Sequence, residues 1–300
     1  MTVDSTPARL PIVWDMETGD PDDFLTLLLL GGHPRVRLVG VTITPGTPEQ
    51  VGLVRRALQW LELDIPVGAH NLDHDKRCVS SWHYRAYGEA PASRDAAPGG
   101  ELLLELCDED TTLVTGAPLK NLGDAIALGE RAGRPLRLGR LVAQGGFAGE
   151  GVVPRAQQLE KFQGMREVPT YNLNGAPKAA LAALACPGIA ARWFVSKNVC
   201  HGVVYDAALH ERVDAARAGS RSLALIWKGM DEYLRRKPGG KKFHDPLAAC
   251  CAIDPEIGSW AEVELYRKGG KWGSRPSPGS GTRIIVGYDH ARFVDVLTMV

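Results

Sequence analysis

The 300-residue sequence is marked first by what it does not contain. There is no run of like charge. Its 35 basic and 35 acidic residues cancel and are interspersed, so the electrostatic footprint of a nucleic-acid or membrane-surface binder is missing. A small-molecule partner is expected instead, with neither nucleic acid nor membrane involved. No apolar stretch approaches the roughly 20 residues that a membrane span requires, and residues 1–10 carry no apolar leader. The six cysteines (Cys78, Cys107, Cys186, Cys200, Cys250, Cys251) show neither the C-x-x-C pairing of zinc sites nor the density of a disulfide scaffold. Reduced thiols in a cytoplasmic protein are the expectation. Internal repeats and linker-like stretches are absent too, and a chain that is 44% hydrophobic can bury a large core. A single domain over residues 1–300 follows.

What is present is an alternation of two periods. Residues 10–14 form a short apolar run that enters an acid-rich turn, and residues 24–30 suit a buried helix. Residues 36–44 alternate and are β-branched, residues 48–63 have the spacing of an amphipathic helix, and residues 65–67 fit a short strand. Helices over 102–107 and 122–132 alternate with strands over 112–115 and 138–144. Residues 145–174 are rich in glycine, proline and polar side chains without a clear period, which marks a long functional loop. Beyond it the pattern predicts helices over 179–185, 223–233 and 246–253, a strand over 191–196, and a hairpin or exposed loop over 268–281. Repeated strand–helix units imply an α/β fold, a mostly parallel central sheet flanked by helices.

In such a sheet, ligands bind outside the carboxyl ends of the strands. The turn after the first strand, Asp15-Met16-Glu17-Thr18-Gly19-Asp20-Pro21-Asp22-Asp23, places five carboxylates in nine residues. Capping a helix and complementing its dipole accounts for about two of them. The remainder fit a hard divalent cation such as calcium or magnesium. Far along the chain, Phe243-His244-Asp245-Pro246 opens an apolar helix after a basic turn. Alone it reads as ordinary capping chemistry.

Together these segments resemble the inosine-uridine-preferring nucleoside hydrolase family, with its D-x-D-P-G-x-D-D turn after the first strand and its late H-D-P. Val41-Thr42-Ile43-Thr44-Pro45-Gly46-Thr47 is similar to V-T-T-V-x-G-N, and residues 115–122 resemble T-G-P-L-T-N-L. Gln144-Gly145-Gly146 is similar to M-G-G, and Tyr171-Asn172 with Pro177-Lys178-Ala179-Ala180 is similar to F-N and D-P-x-A-A. The resemblance implies a calcium-dependent hydrolysis of an N-riboside, releasing base and ribose, with homo-oligomers of two or four subunits. Carried over by position, it makes Asp22 the general base and Asp23, Asp245 and the carbonyl of Thr115 calcium ligands. Asp15, Glu17 or Asp20 would supply the remaining ligand. His244 would assist the leaving base, and Asn172 and Asn174 are candidates for the ribose hydroxyls. His83 and Trp227, each in an aromatic stretch, are candidates for contact with the base.

Departures from the pattern concern the substrate. Glu17 stands where the family has its second aspartate, Thr47 replaces an asparagine, and Thr170 stands where a glutamate usually precedes F-N. Around residues 149–161 the chain is longer, and Arg155, Lys161 and Arg166 bring positive charge that would suit a phosphate or acidic group. Two other functions fit parts of the sequence. Asp15-x-Glu17 loosely resembles the turn of magnesium-dependent phosphatases with an aspartate nucleophile, and altered sugar contacts suit a non-catalytic, calcium-dependent sugar- or nucleoside-binding protein.

Overall fold

The computed structural model of the chain describes residues 8–300. The reading of residues 1–10 therefore falls mainly outside the described residues. Among the described residues thirteen strands follow in order: β1 (Leu10–Met16), β2 (Val36–Ile43), β3 (Val67–Ala69), β4 (Ala97–Pro98), β5 (Thr112–Thr115), β6 (Leu138–Gln144), β7 (Glu167–Val168), β8 (Ile189–Val195), β9 (Val204–Tyr205), β10 (Lys241–Lys242), β11 (Gly258–Lys268), β12 (Lys271–Pro276) and β13 (Thr282–Tyr288). Eleven of them form one sheet in the order β4-β3-β2-β1-β5-β6-β8-β13-β11-β12-β7, and β9 and β10 pair as a separate ribbon. β4 through β13 in that order are parallel neighbours; β11, β12 and β7 continue antiparallel. β1 lies deep in the parallel part, with Ile12, Val13, Trp14 and Met16 fully buried, as a strand covered on both faces requires.

One expected strand shortens, and one of two open alternatives is decided. The run at residues 65–67 begins pairing only at Val67, because Pro66 has no N–H to give and contributes only its carbonyl, to Val41 N at 3.1 Å. The stretch at 268–281 is a hairpin rather than a loop: Gly269 and Gly270, at φ 55° and 77°, make the two-residue turn that joins β11 to β12. The long segment 145–174 is not wholly irregular. It holds 3-10 turns at Arg155–Gln157 and Glu160–Phe162, the edge strand β7, and the start of the Tyr171–Gly175 helix. Among the described residues, no helix is long and apolar enough to cross a membrane.

Two helices matter most for the site. The Pro21–Gly32 helix starts with proline, whose missing N–H costs nothing in a first turn, and every residue from Pro21 to Leu30 is buried. The His244–Ile253 helix is buried from Asp245 onward and packs against it. Their amino ends meet beside the carboxyl end of β1.

Candidate active site

The first turn of the Pro21–Gly32 helix carries Asp22 and Asp23, both buried. Acids are favoured there by the helix dipole, but Asp22 does not cap its own helix. The His244–Ile253 helix has Phe243 at its N-cap position and so no side chain to accept its first N–H groups. Asp22 supplies that acceptor across the site, its Oδ2 taking hydrogen bonds from His244 N at 3.0 Å and Asp245 N at 3.4 Å. Its Oδ1 accepts from Lys241 Nζ at 3.0 Å. Burial alone would raise the Asp22 carboxyl, but the Lys241 charge and these bonds hold it below the ordinary carboxylate range. Lys241 is itself buried and also pairs with Asp20 at 3.0 Å, so it stays charged.

Neither Asp23 nor Asp245 forms an ion pair among the described residues, although the Lys241 charge partly offsets the effects on Asp245. Burial pushes both carboxyls well above the usual range, and repulsion adds to it, chiefly from Asp245 on Asp23 and from Asp22 on Asp245. Oxygens of Asp22, Asp23 and Asp245 lie within 4.8 Å of one another. Gly116 backs the cluster: a Cβ there would stand 2.8 Å from Asp245 Oδ1 and 2.7 Å from the Trp14 ring. Buried oxygen anions crowded to this degree are costly until opposite charge neutralises them, and an all-oxygen donor set is what calcium and magnesium accept. A hard divalent cation therefore fits these residues.

A cavity of about 400 Å³ opens over the cluster. Glu17 faces it, pushed up to about 7 by burial and then by the charge of Asp20. The Glu17 amide donates to Asp23 Oδ1 at 3.0 Å, whereas its carboxylate meets only the Tyr171 hydroxyl, at 3.4 Å. Asn172 donates from Nδ2 to Gly116 O and to Gln144 Oε1, both at 2.7 Å, which fixes its amide and turns its oxygen free of protein donors. His244 stacks on His201 at 4.7 Å between ring centres, and its buried Nε2 has no partner. Burial lowers the His244 pKa to about 4, so the ring is neutral at pH 7.

Of the residues singled out in the sequence, Glu17, Asp20, Asp22, Asp23, Asn172, His244 and Asp245 all line this cavity. Asp15 does not. It is fully buried behind the site, accepting from Thr42 Oγ1 at 2.7 Å, Asn121 Nδ2 at 2.8 Å and Thr115 Oγ1 at 3.2 Å, and burial raises it to about 6. It is not among the residues that line the cavity and is not accessible from it. Thr115 spends its hydroxyl on that network, immediately before the cavity-lining Gly116.

Three expected contacts lie elsewhere. His83 is fully buried with its ring against Phe24 at 5.3 Å and Nδ1 on Ser80. Trp227 stacks on His210 at 5.1 Å with Arg217 over its face at 4.0 Å. Asn174 braces the β12 hairpin, donating to Gly270 O at 2.9 Å and accepting from Trp272 Nε1 at 3.0 Å. Among the loop cations, Arg155 borders a separate recess, whereas Lys161 reaches His201. Lys241, Gln144 and Tyr171 were not assigned site roles from the sequence. The basic turn before Phe243 was visible, but nothing in one dimension shows that it folds back onto Asp20 and Asp22.

A mostly parallel sheet with a buried carboxylate cluster and a polar cavity at its strand ends defines an α/β enzyme whose oxygen donors could hold a cation. Residues 12–295 match the family described as inosine-uridine preferring nucleoside hydrolase, and the chain belongs to that family, hydrolases of the N-glycosidic bonds of nucleosides. It is 28% identical over 273 residues to an uncharacterized protein of Aquifex aeolicus (strain VF5), covering 88% of this chain and 90% of that one. Among solved structures it is similar to a purine-preferring ribonucleoside hydrolase from Gardnerella vaginalis, at 17% identity and TM-score 0.69 over 96% of both chains. It is also similar to an inosine-uridine preferring nucleoside hydrolase from Bacillus anthracis, at 18% identity and TM-score 0.66 over 96% of this chain and 97% of that one. At such identities the likeness to the solved structures concerns the fold.

Proposed function

We propose that the chain is a calcium-dependent hydrolase of a ribonucleoside or related N-riboside, releasing base and ribose. One observation carries the reading: the oxygens of Asp22, Asp23 and Asp245 converge at the floor of a cavity whose wall holds a neutral His244 with a free Nε2. Asp23, Asp245 and the carbonyl of Thr115 would hold the ion, with Glu17 beside them. When bound, calcium supplies the positive charge that neutralises the cluster and makes water easier to deprotonate.

The proton of the attacking water goes to Glu17 in this account rather than to Asp22. Both Asp22 oxygens are engaged by Lys241 and by the N–H groups of a helix, whereas Glu17 faces the cavity with one long hydrogen bond. Asp22 acts as a positioning residue for the start of the His244–Ile253 helix. Water adds to the anomeric carbon as the C–N bond breaks, and the oxocarbenium-like charge that develops is stabilised by the surrounding carboxylates and by the oriented Asn172 oxygen. His244 Nε2 is placed to donate a hydrogen bond to the leaving base. Tyr171, exposed at the cavity mouth, offers its ring to that base. The site draws on β1 and on a helix more than 200 residues later, which supports treating the chain as one catalytic unit.

The test is sugar release from a panel of nucleosides with and without a calcium chelator. Chelator-sensitive release restored by calcium fits the proposal. Release indifferent to every divalent cation would remove the ion from it.

A further inference from the structure

The cavity is electrically two-sided. Its lining is rich in carboxylates, but Lys197 and His201 belong to it as well. Lys161 Nζ lies 2.7 Å from His201 Nδ1, and the charges of Lys161, Lys242 and Lys197 all act on that imidazole. Lys197 is steadied by Pro169 O at 2.9 Å. Lys242 follows Lys241 on β10, so the same short strand places one lysine in the acid cluster and the charge of the next near His201. Lys241 is the lysine that pairs with carboxylates here; Lys161, Lys197 and Lys242 form no such pair among the described residues. Three cations gathered around one imidazole repel each other, a cost that an arriving anion would offset.

A metal at the same place is the competing explanation, since Cys200, His201 and His244 offer ligand atoms within 4.8 Å of one another. The geometry opposes it. Two imidazoles stacked 14° from parallel do not aim in-plane lone pairs at one ion, and Cys200 Sγ already accepts from Gln144 Nε2 at 3.3 Å. Neighbouring lysines would repel a cation further.

We propose that the preferred substrate carries an anionic oxygen group, a phosphate on the ribose or a carboxylate on the base, held by Lys161, Lys197 and Lys242. This rests on the N-riboside hydrolase reading above and names its substrate class. The His201–His244 stack lines the same cavity as Lys197 and the acidic residues, so a substrate bound there meets both charges. Hydrolysis breaks only the C–N bond, adding water across it, and the anionic group leaves with its own half of the molecule.

The experiment compares kcat/KM for uridine and inosine with that for their 5′-monophosphates and for orotidine, in the native protein and in Lys161→Met/Lys242→Met. The expected result is a preference of about tenfold or more for an anionic substrate, in keeping with charge-assisted hydrogen bonds, that shrinks in the double variant and with added salt. Preference for the monophosphates places the anion on the sugar, and preference for orotidine places it on the base. Equal or faster turnover of the neutral nucleosides, or an anion preference that the double substitution leaves unchanged, overturns the proposal. Should none of these be cleaved, the hydrolase reading has failed, and calorimetry with inorganic phosphate still judges the anion site: binding that the double variant loses supports it, and no binding overturns it.

Discussion

Lys241 shows how much one side chain decides in this site. Its ammonium, buried beside Asp20 and Asp22, is what keeps Asp22 ionised and able to accept the first N–H groups of the His244–Ile253 helix. Removing one partner from a buried ion pair leaves the other charge uncompensated, at about 3–5 kcal/mol. Lys241→Met should therefore lower the unfolding free energy obtained from urea titration by a comparable amount; an unchanged value would mean the pair does not form. Glu17→Gln addresses chemistry rather than stability. If Glu17 takes the proton from water, kcat should fall by roughly 10² to 10⁴ while calorimetric nucleoside binding persists. Gly116→Ala is a third case, because its methyl would press on the Asp245 carboxylate at 2.8 Å. Calcium affinity measured by titration should drop sharply, and an unaffected affinity would take Asp245 out of the ligand set.

At the scale of elements, the protein depends on how helix ends are tied down. His33, just past the Pro21–Gly32 helix, accepts from Arg35 N through Nδ1 and holds Val296 O through Nε2 at 3.1 Å, joining that helix to the last one. Burial lowers its pKa to about 4 from 6.5, so the unfolded chain takes up the proton first. The stability it contributes is full above about pH 6.5 and is lost as pH falls toward 4. Melting temperatures measured across that interval should fall less in His33→Gln than in the native protein. Elements of this kind were only partly legible in the sequence. β1 and β6 stood out because apolar runs end at glycine- or acid-rich turns, and the Pro48–Trp60 helix because its period is clean. The 3-10 turns in segment 145–174 are too short to show a period, and the antiparallel β11–β12–β7 edge is a matter of pairing rather than of pattern. Trp227 and His83 were misplaced for a related reason: an aromatic side chain looks the same in sequence whether it meets a ligand or, as here, His210 or Phe24.

On the scale of the whole molecule, the sheet brings together segments that are remote in sequence. The acid turn after β1 and the His244-Asp245 pair were each visible as motifs, but their meaning depended on being adjacent, and the resemblance to a family supplied that before the hydrogen bonds between Asp22 and the second helix did. The same folding puts Lys197 and His201 in the lining of the cavity, with Lys161 against His201. The central claim is that this assembly cleaves an N-glycosidic bond with help from a cation held by Asp23 and Asp245. The most direct test follows free reducing sugar from ribonucleosides, deoxyribonucleosides and nucleoside 5′-monophosphates, using native protein and Asp245→Asn, with chelator and with calcium restored. The account predicts sugar release that chelator abolishes, calcium restores and Asp245→Asn loses; calcium-loaded, folded protein that releases no sugar from any of them would contradict it.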